Sequence, residues 1–104
     1  MTAFRVQAGA GRRLDDIYVH TRKVWGDEQA SRYLHGLFAQ FEDIAARRVV
    51  WRSIPAEFEV EGFYCRHEQH FIYWRLLSDG VIGIVTILHE RMHQLDRFRE
   101  DVAP

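Results

Sequence analysis

Apolar positions along this chain change their spacing near Gly62. Before it they recur at three and four residues, the mark of amphipathic helices; after it they alternate, the mark of strands. At the N-terminus, Phe4 to Gln7 predicts a short strand with Phe4 and Val6 on one face, and the AGAG stretch at 8–11 is expected to break it. A helix is predicted from about Arg12 to Trp25, because Leu14, Ile17, Tyr18, Thr21, Val24 and Trp25 fit one face at 3.6-residue spacing. Gly26 can take a left-handed stop, and Asp27 is placed to cap the next helix. That helix carries Ala30, Tyr33, Leu34, Leu37, Phe38, Phe41, Ile44 and Ala45, the strongest periodic signal in the chain. So short a joint makes the two helices fold back as a hairpin.

Residues 47–61 are less regular, and Pro55 forbids a central strand there. Phe63 to His67 then predicts a strand, EQ within HEQH a turn, Phe71 to Leu77 a second strand and SDG another turn. Val81 to Leu88 is nearly all apolar, so this third strand is buried on both faces or central. Short turns make consecutive strands antiparallel. Glu90 to Arg99 reads as a last short helix with Met92, Leu95 and Phe98 or Arg99 inward. The predicted fold class is α+β: an N-terminal strand, a helical hairpin, a three-stranded antiparallel meander and a short C-terminal helix.

Composition narrows the classes. At 104 residues and 47% hydrophobic, the chain suits one domain over residues 1–104. No apolar run approaches a membrane span, and MTAFRVQAGAGRR lacks the apolar stretch of a signal peptide. Cys65 is the lone cysteine, so the expectation is a reducing cytosol without a disulfide framework. Lys+Arg total 14 against 15 Asp+Glu, a net charge of -1 that gives no long-range pull on nucleic acid. All the cations but Lys23 are Arg, which favours planar, hydrogen-bonded recognition over diffuse charge.

The segment HERMH, His89 to His93, matches the HExxH pattern of zinc proteases. That chemistry needs both histidines on one face of a helix, Glu as base for a metal-bound water, and a third ligand beyond. Here His89 closes the strand VIGIVTIL and His93 falls in the first turn of the next element, so no shared helical face is expected. A random order of a chain this rich in His and Glu yields the pattern in roughly three chains per hundred. No metal and no cofactor is expected. His67 and His70 flank a hairpin turn and read as solvated turn residues, with a chance of meeting His89.

With this element order, the chain resembles a toxin of the RelE/ParE superfamily, closest to the ParE branch of type II toxin–antitoxin systems. RRLDDIYVHTRKVWGDEQASRYLHGLFAQFEDIA resembles the family's helical hairpin, FEVEGFYCRHEQHFIYWR its first β-hairpin, and GVIGIVTILHERM its closing strand. His89, Arg91 and Met92 are family-like in that last segment, while Glu90 and His93 vary, so HERMH is a family turn with two fortuitous letters. The resemblance spans nearly the whole chain; each motif is loose alone, and the ordered set is specific. It implies an antiparallel sheet packed on the helical hairpin, and a role in plasmid stabilisation or addiction. ParE-like proteins are understood as poisons of DNA gyrase, RelE-like ones as ribosome-dependent mRNA endoribonucleases, and both are held inactive by an antitoxin usually encoded beside them.

Metal-free RNA cleavage needs a base, an acid and cations for the phosphate. Arg66, Glu68, Arg75, His89 and Arg91 are the residues for that chemistry, and strand alternation could gather Arg66, Arg75 and His89 in one concavity. Against it, the chain is slightly acidic, whereas ribosome-binding toxins need a strongly cationic surface. In FIYW, Phe71 to Trp74, residues Ile72 and Trp74 share one side; Phe71, Tyr73 and Arg75 share the other. Exposed aromatic surface there would suit an antitoxin segment, giving Phe71, Tyr73, Trp74 and Arg75 as antitoxin-binding candidates, unless a C-terminal helix covers it. The reading is thus a non-enzymatic gyrase poison partnered by a ParD-like antitoxin, without a membrane or direct sequence-specific nucleic-acid contact. The alternatives are an endoribonuclease and a weakened, non-toxic homologue.

Overall fold

The computed structural model describes residues 4–102. Its elements run β1 (Phe4–Val6), α1 (Ala8–Trp25), α2 (Asp27–Ala45), β2 (Arg52–Ser53), a 3-10 turn (Ala56–Phe58), β3 (Phe63–His67), β4 (His70–Leu76), β5 (Ile82–His89) and α3 (Gln94–Val102). The sheet order is β1-β5-β4-β3-β2, with β1 parallel to β5 and the other pairs antiparallel. The α+β order and the antiparallel meander follow the sequence reading. The two-residue β2 was not foreseen; it lies at the sheet edge and ends before Pro55, where a missing N–H costs no ladder bond.

The sheet is covered on both faces. Leu14, Leu37, Phe41 and Ile44 of the hairpin pack on Ile72, Trp74, Ile84 and Ile87. On the other face Phe98 of α3 packs with Tyr73, Val85, Leu88 and Phe58. Seven of the eight β5 residues are buried, as its unbroken apolar run predicts. Strict alternation fails inside β5. Tyr73 pairs with Thr86 and Trp74 with Ile84, which leaves Val85 as an extra residue in a β-bulge. Before the bulge, Ile82 and Ile84 face the hairpin; after it, Ile87 and His89 do.

AGAG does not break the chain: α1 begins at Ala8 and includes both glycines. Tertiary packing overrides the propensity cost of glycine in a helix. A Cβ on Gly9 would stand 2.7 Å from the Asp101 carbonyl oxygen and 3.2 Å from that of Val85, so only glycine lets α1 approach β5 and α3 this closely. The hairpin joint is the single residue Gly26, at φ 94° and ψ 170°, a glycine-only conformation rather than the left-handed helical stop foreseen. Asp27, expected as the cap, is instead the first residue of α2, where it and Glu28 set negative charge at the positive end of the helix dipole.

The last helix starts later than predicted, at Gln94 rather than Glu90. The Glu90 N–H donates to the Gln69 carbonyl, extending the sheet edge, and the Met92 N–H turns back to the His89 carbonyl. The Gln94 amide bonds the carbonyls of His89 and Met92, fixing the turn. Met92 is therefore 37% exposed rather than inward, while Phe98, not Arg99, enters the core. The end of α3 is held by a polar clamp. The Asp101 carboxylate accepts from Arg13 Nε at 2.8 Å and from the hydroxyl of fully buried Thr86 at 2.6 Å.

Three substitutions test this packing, each read by urea denaturation. Gly11 has open space around it, so Gly11→Ala should stabilise by about 0.5–1 kcal/mol, whereas Gly9→Ala should destabilise by about 1–3 kcal/mol. Asp101→Ala strands the largely buried Arg13 cation and should cost about 3 kcal/mol.

Candidate functional site: a histidine-lined groove

A cleft of about 730 Å³ lies between the hairpin and the end of the sheet, lined by residues of α1, α2, the β3–β4 turn and the close of β5. Each strand contributes by its register. The two-residue turn of HEQH sets His67 opposite His70, and the β4–β5 ladder sets His70 opposite His89. Glu68 in that turn holds φ 51°. His70 and His89 meet edge to face, with ring centroids 5.2 Å apart. Tyr33 reaches down from α2, and its hydroxyl lies 2.6 Å from His70 Nδ1.

Burial pushes His70 from the ordinary 6.5 down to about 4, with help from the neighbouring His89, His67 and His20. Burial, then the Glu68 charge, pushes the Tyr33 phenol up to about 12. At neutral pH the pair is thus an uncharged phenol against an uncharged imidazole. The phenol is the stronger acid and the imidazole nitrogen the stronger base, so Tyr33 donates and His70 Nδ1 accepts. His89 Nδ1 also accepts, at 3.1 Å from the Arg91 backbone N–H, which can only donate.

The residues singled out for RNA chemistry divide between the two faces of the sheet. Glu68, His89 and Arg91 line the groove. Arg66 lies on the α3 face over the Phe71 ring, and its guanidinium is tied to Glu90 at 2.7 Å and to the Glu68 carbonyl. Arg75 lies on that face too but far along β4, opposite Gly83, with its buried Nε lacking a hydrogen-bond partner. The expected concavity of Arg66, Arg75 and His89 does not form. The bulge at Val85 is the reason, since it turns His89 to the hairpin side.

The FIYW candidates also separate. Trp74 is fully buried against the hairpin. Tyr73 is buried under α3, where its hydroxyl donates to Gln94 Oε1 at 2.8 Å. The C-terminal helix covers this part of the sheet, and Phe71 and Arg75 keep partial exposure. His67 and His70 are half-buried rather than solvated turn residues. Tyr33 was legible only as one member of an apolar helix face; pairing it with His70 needs the packing of α2 on the sheet. In HERMH, His89 ends β5 and His93 precedes α3, so the two share no helix. Among the described residues, no three His, Cys, Asp or Glu side chains are grouped to hold a metal ion. No described helix is long and apolar enough to cross a membrane.

This arrangement of hairpin, sheet and covering helix is a known fold. It matches a solved structure described as "Chromosomal ParDE TA system from P. aeruginosa" at TM-score 0.68, over 86% of this chain and 96% of that one; at 20% identity the likeness is one of fold. A family model described as ParE toxin of type II toxin-antitoxin system, parDE, matches residues 5–94, and the chain belongs to that family. Toxin ParE1 of Caulobacter vibrioides is 32% identical over 95 residues, 89% of this chain and 94% of that protein. Toxin ParE of Escherichia coli is 29% identical over 100 residues, 96% of each chain.

The titration of His70 has a measurable signature. Its folded pKa lies below the unfolded 6.5, so the unfolded state binds more protons between pH 6.5 and about 4, and stability falls as pH drops through that window. After solvent screening the loss should be about 2 kcal/mol. Urea midpoints measured from pH 7 to pH 4 should fall less steeply for His70→Gln than for the parent; equal slopes would refute the assignment.

Proposed function

We propose that this ParE-type toxin acts by binding DNA gyrase and trapping it on cleaved DNA, catalysing no reaction of its own. A cognate, ParD-like antitoxin encoded beside it neutralises it in the cytoplasm. The observation that carries the reading is the family match across residues 5–94. Two features support the non-enzymatic side. The net charge of -1 gives no general attraction to ribosomal RNA, and it implies no direct sequence-specific contact with nucleic acid. The cations Arg66 and Arg75 stand on the opposite side of the sheet from His89, which leaves Arg91 as the one candidate cation beside that histidine.

For the antitoxin, Phe71 and Arg75 are the candidates that reach the surface, with Tyr73 and Trp74 as the rigid layer behind them. Phe71→Ala and Arg75→Ala should each loosen the toxin–antitoxin complex by about tenfold in a calorimetric titration. Trp74→Ala should instead destabilise the toxin itself, by about 3–5 kcal/mol.

The deciding experiment expresses the chain alone and together with its neighbouring gene. Filamentous growth arrest with gyrase–DNA cleavage complexes, relieved by the neighbour, is the expected result. Cleaved mRNA with intact gyrase activity would replace this reading with an endoribonuclease using Glu68, His89 and Arg91. Absence of arrest would make the chain a weakened homologue.

A further inference from the structure

The groove carries a hydrogen-bonding asymmetry that the antitoxin candidates on β4 do not involve. His70 and His89 both spend Nδ1 as an acceptor, on the Tyr33 hydroxyl and the Arg91 backbone N–H. A neutral imidazole with an accepting Nδ1 carries its proton on Nε2. Two Nε2–H donors therefore remain on adjacent strands, with rings 5.2 Å apart and no partner for either among the described residues. The same two bonds disfavour a metal ion across the pair. Binding through His89 Nε2 would move its proton to Nδ1, against the Arg91 N–H.

Next to these donors stands Arg91, whose guanidinium has no counter-ion among the described residues. The apolar part of the groove is made by Ile17, Met92 and Trp25, the last 71% exposed at the tip of the hairpin. A large exposed tryptophan beside unpaired donors marks a binding surface. The occupant must bring acceptors and negative charge to the histidines and Arg91, and apolar bulk to Trp25 and Met92. Asp16 and Glu68 also line the groove and would repel a polyanion such as a nucleic-acid backbone, whereas a single carboxylate can seat between the donors.

The geometry points to a docking groove for a partner-protein segment that carries one carboxylate side chain flanked by bulky apolar residues. Nε2–H of His70 and His89, together with Arg91, read the carboxylate, and Trp25, Ile17 and Met92 hold the apolar flanks. Such charge-assisted bonds at a partly dry site discriminate a carboxylate from its amide.

The test uses the whole chain, with histidine side-chain nitrogens followed by NMR. Before any addition, both rings should show the proton on Nε2; a proton on Nδ1 of either ring overturns the inference. Acetyl-Leu-Glu-Leu-amide should then shift both Nε2 signals saturably, and acetyl-Leu-Gln-Leu-amide should bind about tenfold more weakly. Arg91→Gln keeps the backbone N–H bond to His89, and it should erase that difference while leaving the Gln peptide unaffected. No response, or equal responses to both peptides, refutes the carboxylate reading. A response to a thymidine octamer but not to the peptides would make the groove a nucleic-acid site instead. Shifts that depend on protein concentration alone would assign it to a second copy of the chain.

Discussion

The burial of β5 on both faces is the constraint on which the rest of the molecule depends. A strand that is apolar on both sides must be covered twice, and the chain supplies the hairpin α1–α2 above and α3 below. Each fully buried Ile or Leu contributes about 1.5–3 kcal/mol to keeping those covers in place. The strand is also central: β4 pairs with it from Ile82 to His89, and the parallel β1 pairs its other edge at Ile82–Ile84. Gly9 belongs to the same requirement, because α1 can lie on β5 only where a side chain is missing.

The groove is a product of how β5 ends. After the bulge at Val85 the strand presents its odd-numbered residues to the hairpin, so His89 arrives beside His70 and beneath Tyr33. Without the extra residue His89 would face α3, in company with Arg66 and Arg75. One inserted position thus decides whether the histidine joins a cationic surface or a nearly neutral groove. Of the three candidate cations, only Arg91 shares the groove with His89.

Most of the architecture was legible because it rests on periodicity. The two helices, the three meander strands and the fully apolar β5 all follow from spacing that burial imposes, but Val24 and Trp25, counted on the inner face of α1, lie 55% and 71% exposed because the end of that helix projects past the sheet. What failed was set by tertiary contact or by single residues. AGAG looks like a breaker in isolation, and only the close approach of Asp101 and Val85 makes it helical. The start of α3 was misplaced because Glu90 bonds to Gln69 in a distant turn. The candidate site was the least legible part. Alternation places side chains correctly only until a bulge intervenes, and nothing in VIGIVTILH announces one. Trp74 is fully buried, yet its alternation with Ile72 already placed both on one side of β4.

The clamp between Arg13 and Asp101 joins positions 88 residues apart, one on α1 and the other on α3. During synthesis the hairpin can form early, yet β5 stays uncovered on its second face until α3 has left the ribosome. The finished surface therefore appears only once α3 has been made, and until then the nascent chain leaves one apolar face of β5 open to whatever binds it first.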